Sequence, residues 1–423
     1  MNIDLKYGDS QFVLSIPEKA EATVLQPASL PILNNMRNAL DHALRNPYGC
    51  ESFEEQVRQI APKRVSIAVP DETRSIPVKS LLTILLDRLL AAFPGFDSSG
   101  LTLVIGGGLH PPVNQEGQNR LIPMDKAPGY RVVVHDAARS RMIDFGVTRR
   151  GTPVWINADF AEAEFKIVIG QIDPHQFVGF TGGAKGVVIG CAATGSIEHN
   201  HSLMFDDKAQ VGRIDGNPVR EDMNEAGEMV QIDLAVNIVL DANLNVVRVL
   251  AGEPTAVLKE GAKTCASLDG IAIEDKFDIV AASCGGYPKD ISLYQAQKGL
   301  NLASQAVKHG GKILLMAACS QGVGDDIYFD YVSRFSTPEE VVKDFKRLGF
   351  KMGAHKAYLF GRTLIDYDVA IFSDLDPGIL KKCHLKAAHP TRIMKKWVEE
   401  LKGRPRVAVI TNANTTYFYQ KRT

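Results

Sequence analysis

The chain has 423 residues, 45% of them hydrophobic and 23% charged, with a formal net charge of −1. That length exceeds one typical core, so two or three domains are expected. The balanced charge lacks the basic excess of a polyanion-binding surface, which argues against a nucleic-acid partner and leaves room only for a local basic pocket.

The opening stretch, MNIDLKYGDSQFVLSIP, has no charged start followed by an apolar run, so no secretory signal is expected. No run reaches the apolar length of a membrane span, and no membrane partner is expected. The six cysteines, Cys50, Cys191, Cys265, Cys284, Cys319 and Cys383, form no C-x-x-C pair. They read as reduced thiols of a cytoplasmic protein.

Short β-branched runs then recur, each followed by a polar or glycine-rich loop. RVSIAVP (64–70) precedes Asp71-Glu72-Thr73-Arg74, and a helical pattern spans 78–93. LTLVIGGG (101–108) precedes Leu109-His110-Pro111, and FKIVIGQ (165–171) precedes Ile172-Asp173-Pro174-His175. Further on come FDIVAAS (277–283), KILLMAA (312–318), a helical PEEVVKDFKRLG (338–349), DVAIFS (368–373) and RVAVIT (406–411). Continuous apolar strands alternating with helices predict an α/β fold. We expect two α/β domains with mainly parallel sheets, 1–268 and 269–423, with the active site in the cleft between them. The segment 80–103 is compatible with packing on either domain. Ligands of open α/β sheets bind at the carboxyl ends of strands, where most of these loops fall.

The densest chemistry lies in residues 173–201. Gly179-Phe180-Thr181-Gly182-Gly183-Ala184-Lys185-Gly186 sets four glycines around a lysine, which lets backbone N–H groups approach an anion and adds a charge or a nucleophilic amine. It is not a Walker A loop, because the spacing differs and no Ser or Thr follows the lysine. A plain glycine-rich turn is the bland alternative. His175 precedes this loop and His199 and His201 follow it. His199-x-His201 offers two imidazoles, yet no complete zinc spacing accompanies them. A metal held mainly by something other than the protein, with one histidine completing its shell, fits better. His110 is fixed between three glycines and two prolines. Arg74 suits a carboxylate or phosphate. If 292–298 is helical, Tyr294, Gln295 and Lys298 share a face through i, i+3 and i+4 relations.

Together these segments resemble the nickel-pincer lactate racemase family over nearly the whole chain. The resemblance rests on D-E-T-R at 71–74, G-G-G-L-H-P at 106–111, D-P-H at 173–175, G-F-T-G-G-A-K at 179–185, H-N-H at 199–201 and Y-Q-x-x-K at 294–298. It implies a racemase or epimerase of 2-hydroxy acids. It implies a nickel-pincer nucleotide, a nickel-bearing pyridinium dithio-mononucleotide, tethered at Lys185, with His201 on the nickel. It further implies His110 and His175 as the acid/base pair and Asp71, Glu72, Thr73 and Arg74 as cofactor contacts. Arg74, Tyr294, Gln295 and Lys298 would bind substrate. Cofactor maturation proteins are implied as partners, and a preparation made without them would lack the cofactor. One departure stands out: near 358 the family places a pocket tryptophan, whereas this chain reads His355-Lys356-Ala357-Tyr358. Two rival readings remain. A nicotinamide-dependent hydroxy acid dehydrogenase would use similar His and Arg groups, but G-x-G-x-x-G is missing. A non-catalytic nucleotide- or phosphate-binding protein would use the same glycine loop.

Overall fold

The structure, a computed structural model, describes residues 1–420 apart from 125, 127 and 128. The chain divides into two compact units, Ser29–Leu268 and a second that joins Met1–Ala28 to the residues from Asp269 onward. The expected boundaries, 1–268 and 269–423, therefore differ in the first 28 residues. The cause is a strand the sequence reading did not resolve: Glu21–Leu25 pairs in parallel with Arg406–Ile410. Segment 80–103 lies within the Ser29–Leu268 unit, in the helix Val78–Ala92 and the strand Leu101–Gly106.

The Ser29–Leu268 unit is built on six strands in the order Val246–Gly252, Leu234–Leu240, Phe165–Gln171, Val65–Pro70, Leu101–Gly106, Arg131–Val134. All neighbours are parallel except the first pair. Both faces are covered, which is why the central strands are continuous apolar runs rather than alternating ones. On one face Ile67, Val69, Leu103, Ile105, Ile167 and Ile169 pack with Leu81, Leu82, Leu85, Leu86 and Leu89 of the helix Val78–Ala92. Burying each such side chain stabilises by about 1.5–3 kcal/mol before entropy is counted. On the other face a short helix, Lys185–Val188, lies so close to the sheet that a Cβ at Gly186 would sit 2.6 Å from Val168 Cγ2.

The second unit carries six parallel strands in the order Lys386–Ala387, Asp368–Phe372, Val307–Met316, Phe277–Ser283, Arg406–Ile410, Glu21–Leu25. An antiparallel hairpin, Asn2–Tyr7 with Ser10–Ser15, and the helix Pro390–Glu400 with its buried Trp397 cover one face. All six cysteines are free thiols. Among the described residues no helix is long and apolar enough to cross a membrane.

Candidate active site

Three adjacent parallel strands at the centre of the first sheet end in the loops that carry the sequence motifs. Val65–Pro70 runs into Asp71, Leu101–Gly106 into the loop holding His110, and Phe165–Gln171 into a two-rung hairpin of Pro174–His175 with Gly179–Phe180. Parallel register alone places these loops side by side at the ligand-binding end of the sheet.

His110 Nδ1 lies 2.6 Å from Asp71 Oδ2, and Thr73 Oγ1 donates to Asp71 Oδ1 at 2.6 Å. Burial raises the Asp71 pKa, but the bonds from His110 and Thr73, with the nearby charge of Arg74, outweigh it and hold the carboxyl below its ordinary value. An ionised carboxylate only accepts, so His110 Nδ1 carries the hydrogen and, in the neutral ring, Nε2 keeps its lone pair. The imidazole remains 37% exposed while the carboxylate beneath it is only 4% exposed. A Cβ at Gly107 would come within 3.1 Å of Asp71 Oδ2 and press on the carboxylate. Gly108, at φ +59°, donates its N–H to Gly190 O at 2.9 Å and ties this loop to the end of the lysine segment.

His175 is held in the opposite sense. The Val178 N–H donates to its Nδ1 at 3.3 Å, which leaves the hydrogen of the neutral ring on Nε2. The Phe177 ring packs edge-on between His175, at 4.7 Å, and His201, at 5.3 Å. The two acid/base candidates thus present one acceptor and one donor nitrogen.

The glycine-rich segment is pinned from below. Gly182 and Gly183 adopt φ +87° and +59°, and a Cβ at Gly182 would lie 2.5 Å from Ile172 Cγ1. Gly183 N–H donates to Asn237 Oδ1 at 2.8 Å, from the middle of a neighbouring strand. Arg220, fully buried, donates to the carbonyls of Val178, Phe180 and Gly182. Lys185 follows. Its side chain keeps partial accessibility, but its ammonium is enclosed, and burial with the charges of Arg74 and Arg220 brings its pKa down to about 7, against the pull of Asp71. Near neutrality much of this amine is unprotonated and nucleophilic.

His201 lies buried on the helix Thr194–Ser202. Burial and the charge of Lys185 lower its pKa to about 3, so the ring is neutral. Its Nδ1 meets Asn200 Oδ1 at 3.1 Å. Asn200 Nδ2 donates to Asp222 Oδ2 at 2.7 Å and to Val219 O at 3.1 Å, which fixes the amide oxygen towards the imidazole. Asp222 is in turn held by Thr148 and Thr152. Nδ1 is therefore the protonated nitrogen of His201 and Nε2 the one with ligand character. Asn200 stands inside the H-N-H motif without having been singled out, and nothing in the sequence pattern flagged Asp222, Arg220 or Asn237, which act through contacts that tertiary packing creates.

The remaining expected residues make the following contacts. His199 bonds to the Arg150 carbonyl at 3.1 Å through Nε2. Positions i and i+2 of a helix point about 200° apart, so His199 and His201 do not form a joint ligand pair. Glu72 is exposed and pairs with Arg120, while Arg74 is exposed and acts electrostatically on Asp71 and Lys185. In the second unit Ser292 caps the helix Leu293–Ala303, which carries half-buried Tyr294 and Lys298 and exposed Gln295. Tyr358 stacks on Phe345 at 5.4 Å, whereas Lys356 sits 5.1 Å from the Tyr294 ring. Of the 355–358 stretch it is Lys356, not Tyr358, whose charged end meets the Tyr294 face.

Such a cluster at the carboxyl ends of parallel strands is the ligand-binding end of an α/β protein. The chain is a member of the lactate racemase family: residues 7–212 match the lactate racemase N-terminal domain and residues 273–415 the lactate racemase C-terminal domain. It is thereby an isomerase of the racemase class. It is 29% identical over 395 residues to the lactate racemase of Lactiplantibacillus plantarum, covering 91% of this chain and 92% of that one. It is 26% identical over 381 residues to that of Thermoanaerobacterium thermosaccharolyticum, covering 88% of each. In fold it is similar to the lactate racemase apoprotein structure from the latter organism, with a TM-score of 0.90 at 24% identity over 99% of this chain and 100% of that chain.

Proposed function

We propose that the protein racemises or epimerises 2-hydroxy acids, lactate or a close relative, with a nickel-pincer nucleotide as cofactor. The observation that carries the reading is the opposed setting of His110 and His175, one imidazole held by a buried carboxylate and the other by a backbone N–H, after the two strands that flank Val65–Pro70.

The residues present fit such a cofactor. Lys185 offers an enclosed amine that is largely unprotonated near pH 7, suited to an acyl link. His201 offers a neutral ring whose Nδ1 is committed to Asn200. Among the described residues no group of three His, Cys, Asp or Glu gathers to hold a metal, so His201 would act as one donor beside those the nucleotide brings. When bound, the cofactor would supply an electrophilic acceptor for the C2 hydrogen with its electron pair.

The chain's own groups manage the proton and the carboxylate. A hydrogen beside a carboxylate is a poor acid, so leaving as hydride avoids a second negative charge there. His110 Nε2 takes the hydroxyl proton as the carbonyl forms, and Asp71 stabilises the imidazolium that results. His175 donates to the substrate oxygen on the return from its imidazolium form, which requires release of the long 3.3 Å contact from Val178, and is left neutral. The turnover leaves His110 protonated and His175 neutral, the state that serves the other enantiomer, and proton exchange with water resets the pair. Arg74 is assigned the substrate carboxylate, with Tyr294, Gln295 and Lys298 as further substrate-binding groups, and Asp71, Glu72 and Thr73 as cofactor contacts. We assign the protein to the cytoplasm, where maturation proteins would load it.

The test is a panel of single-enantiomer 2-hydroxy acids incubated with cofactor-loaded protein and resolved by chiral chromatography. Racemisation of at least one, lost in His110→Ala and His175→Ala with nickel still bound, is expected. Net oxidation coupled to added NAD would favour a dehydrogenase. Tight cofactor binding with every configuration unchanged would favour a carrier.

A further inference from the structure

Asp222 is a fully buried carboxylate on the helix Pro218–Val230, and no step of the proposed chemistry calls on it. A charge held out of water needs hydrogen bonds in return. Its oxygens accept three: Oδ1 from Thr148 Oγ1, and Oδ2 from Thr152 Oγ1 and from Asn200 Nδ2, each at 2.7 Å. The first of these is directed. Thr148 Oγ1 itself accepts the Thr152 N–H at 3.0 Å, which turns its own hydrogen towards the carboxylate. All three donors are neutral groups, so the charge is spread over hydrogen bonds rather than cancelled by a cation.

The amide of Asn200 carries the influence of that charge to His201. Asn200 Nδ2 donates to the Asp222 carboxylate and, at 3.1 Å, to the Val219 carbonyl, two groups that only accept. Its Oδ1 must therefore face His201 Nδ1, 3.1 Å away. An amide whose N–H groups are drawn by an anion has a more negative oxygen. The imidazole is affected in two ways. Its hydrogen is held on Nδ1, against the preference of a free histidine side chain for Nε2, and the Nε2 lone pair becomes a stronger donor. The same helix backs the lysine loop through other residues: Arg220 donates to the carbonyls of Val178, Phe180 and Gly182, and a Cβ at Gly227 would lie 2.4 Å from Ala184 Cβ, beside Lys185.

We infer that Asp222 is a positioning residue for the cofactor metal, acting through Asn200 to present His201 Nε2 as a strengthened lone-pair donor. This rests on the racemase reading above, in which His201 meets the nickel. A merely structural role would cost stability when Asp222 is changed and leave the ring as it is. A positioning role moves the ring hydrogen and loosens the metal while the tethered nucleotide stays in place, because Lys185 is held by different residues of the helix.

The experiment reads the His201 tautomer by nitrogen NMR of cofactor-free protein with isotopically labelled histidine, in wild type, Asp222→Asn and Asn200→Ala. The spectrum of His201→Gln identifies the signal. Thermal midpoints verify folding, and Asp222→Asn, which keeps the shape of the side chain, carries the test if Asn200→Ala does not fold. The wild type should carry its hydrogen on Nδ1, Asp222→Asn should populate both forms, and Asn200→Ala should shift towards Nε2–H. On cofactor-loaded protein both variants should retain the nucleotide in intact mass while releasing nickel to EDTA about 10–100-fold faster. Nε2–H in the wild type, an unchanged ring in every folded variant, or unchanged nickel release would overturn the proposal. Loss of the nucleotide together with the nickel would mark a general collapse of the site and overturn it as well. Failure of the wild type to racemise any acid would sink the racemase reading and leave the ring and nickel results to decide the proposal separately.

Discussion

Replacing Asp71 by Asn changes one atom and tests how His110 is prepared. The carboxylate is nearly inaccessible, accepts from His110 at 2.6 Å and from Thr73 at 2.6 Å, and is held ionised by those bonds. The amide keeps the shape but removes the charge that favours an imidazolium on the other side of the bond. A hydrogen bond to a charged group contributes about 1.5–3 kcal/mol, which as a loss confined to the transition state is about 10–150-fold in kcat. If the amide nitrogen turns to His110, the ring is pushed into the opposite tautomer and the loss grows to about 10⁴-fold, the scale seen when a buried carboxylate is neutralised behind a catalytic histidine. KM should change little, because the carboxylate touches His110 rather than the substrate. The assay is the initial rate of configurational inversion by cofactor-loaded Asp71→Asn, with bound nickel quantified. A kcat within about threefold of wild type at equal nickel content would refute the argument that Asp71 sustains the base.

Lys185→Ala should lose the added mass of the cofactor in intact-protein mass spectrometry, and a retained adduct would place the tether elsewhere. On cofactor-free protein, acylation of Lys185 should rise with pH through a midpoint of about 7, since the amine is protonated below it and neutral above, while surface lysines react only at much higher pH. In Arg220→Met that midpoint should move upward, because one of the two cations depressing it is gone; the same variant should be less stable in denaturant by about 1–3 kcal/mol for the three carbonyls it leaves short. His199→Ala should keep nickel content and rate, since its Nε2 is occupied by the Arg150 carbonyl; loss of nickel there would restore the two-histidine ligand pair.

The strands that carry the loops were legible because parallel strands buried on both faces must be continuous apolar runs, and RVSIAVP, LTLVIGGG, FKIVIGQ and FDIVAAS are such runs. The edge strand Glu21–Leu25 was not, since EATVL carries a charge and faces water on one side. That pairing, with the hairpin of residues 2–15 packed on the same sheet, places the first 28 residues in the second unit. In the candidate site, His110, His175 and Lys185 drew attention by residue type and by their place beside strand-end glycine loops, whereas the choice of His201 over His199 came from the family resemblance. The residues that prepare them were not singled out. Asn237 hides in an apolar strand and Arg220 in an ordinary helix, and only the fold brings them beneath the Gly179–Lys185 loop. Lys356 was visible only as part of HKAY. Helical geometry, which turns it towards Gln297 and turns Tyr358 towards Phe345, is what separates the two.

The central claim concerns how the C2 hydrogen leaves, and isotopic labelling reads that directly. A single-enantiomer substrate bearing deuterium at C2 is incubated in ordinary water with loaded enzyme, and the inverted product is isolated and weighed by mass spectrometry. Transfer of the hydrogen with its electron pair and its return from the same carrier predicts inverted product that retains deuterium. Inverted product that has exchanged its label for solvent hydrogen would mean proton abstraction by a side chain, and the account given for His110, His175 and Lys185 would be wrong.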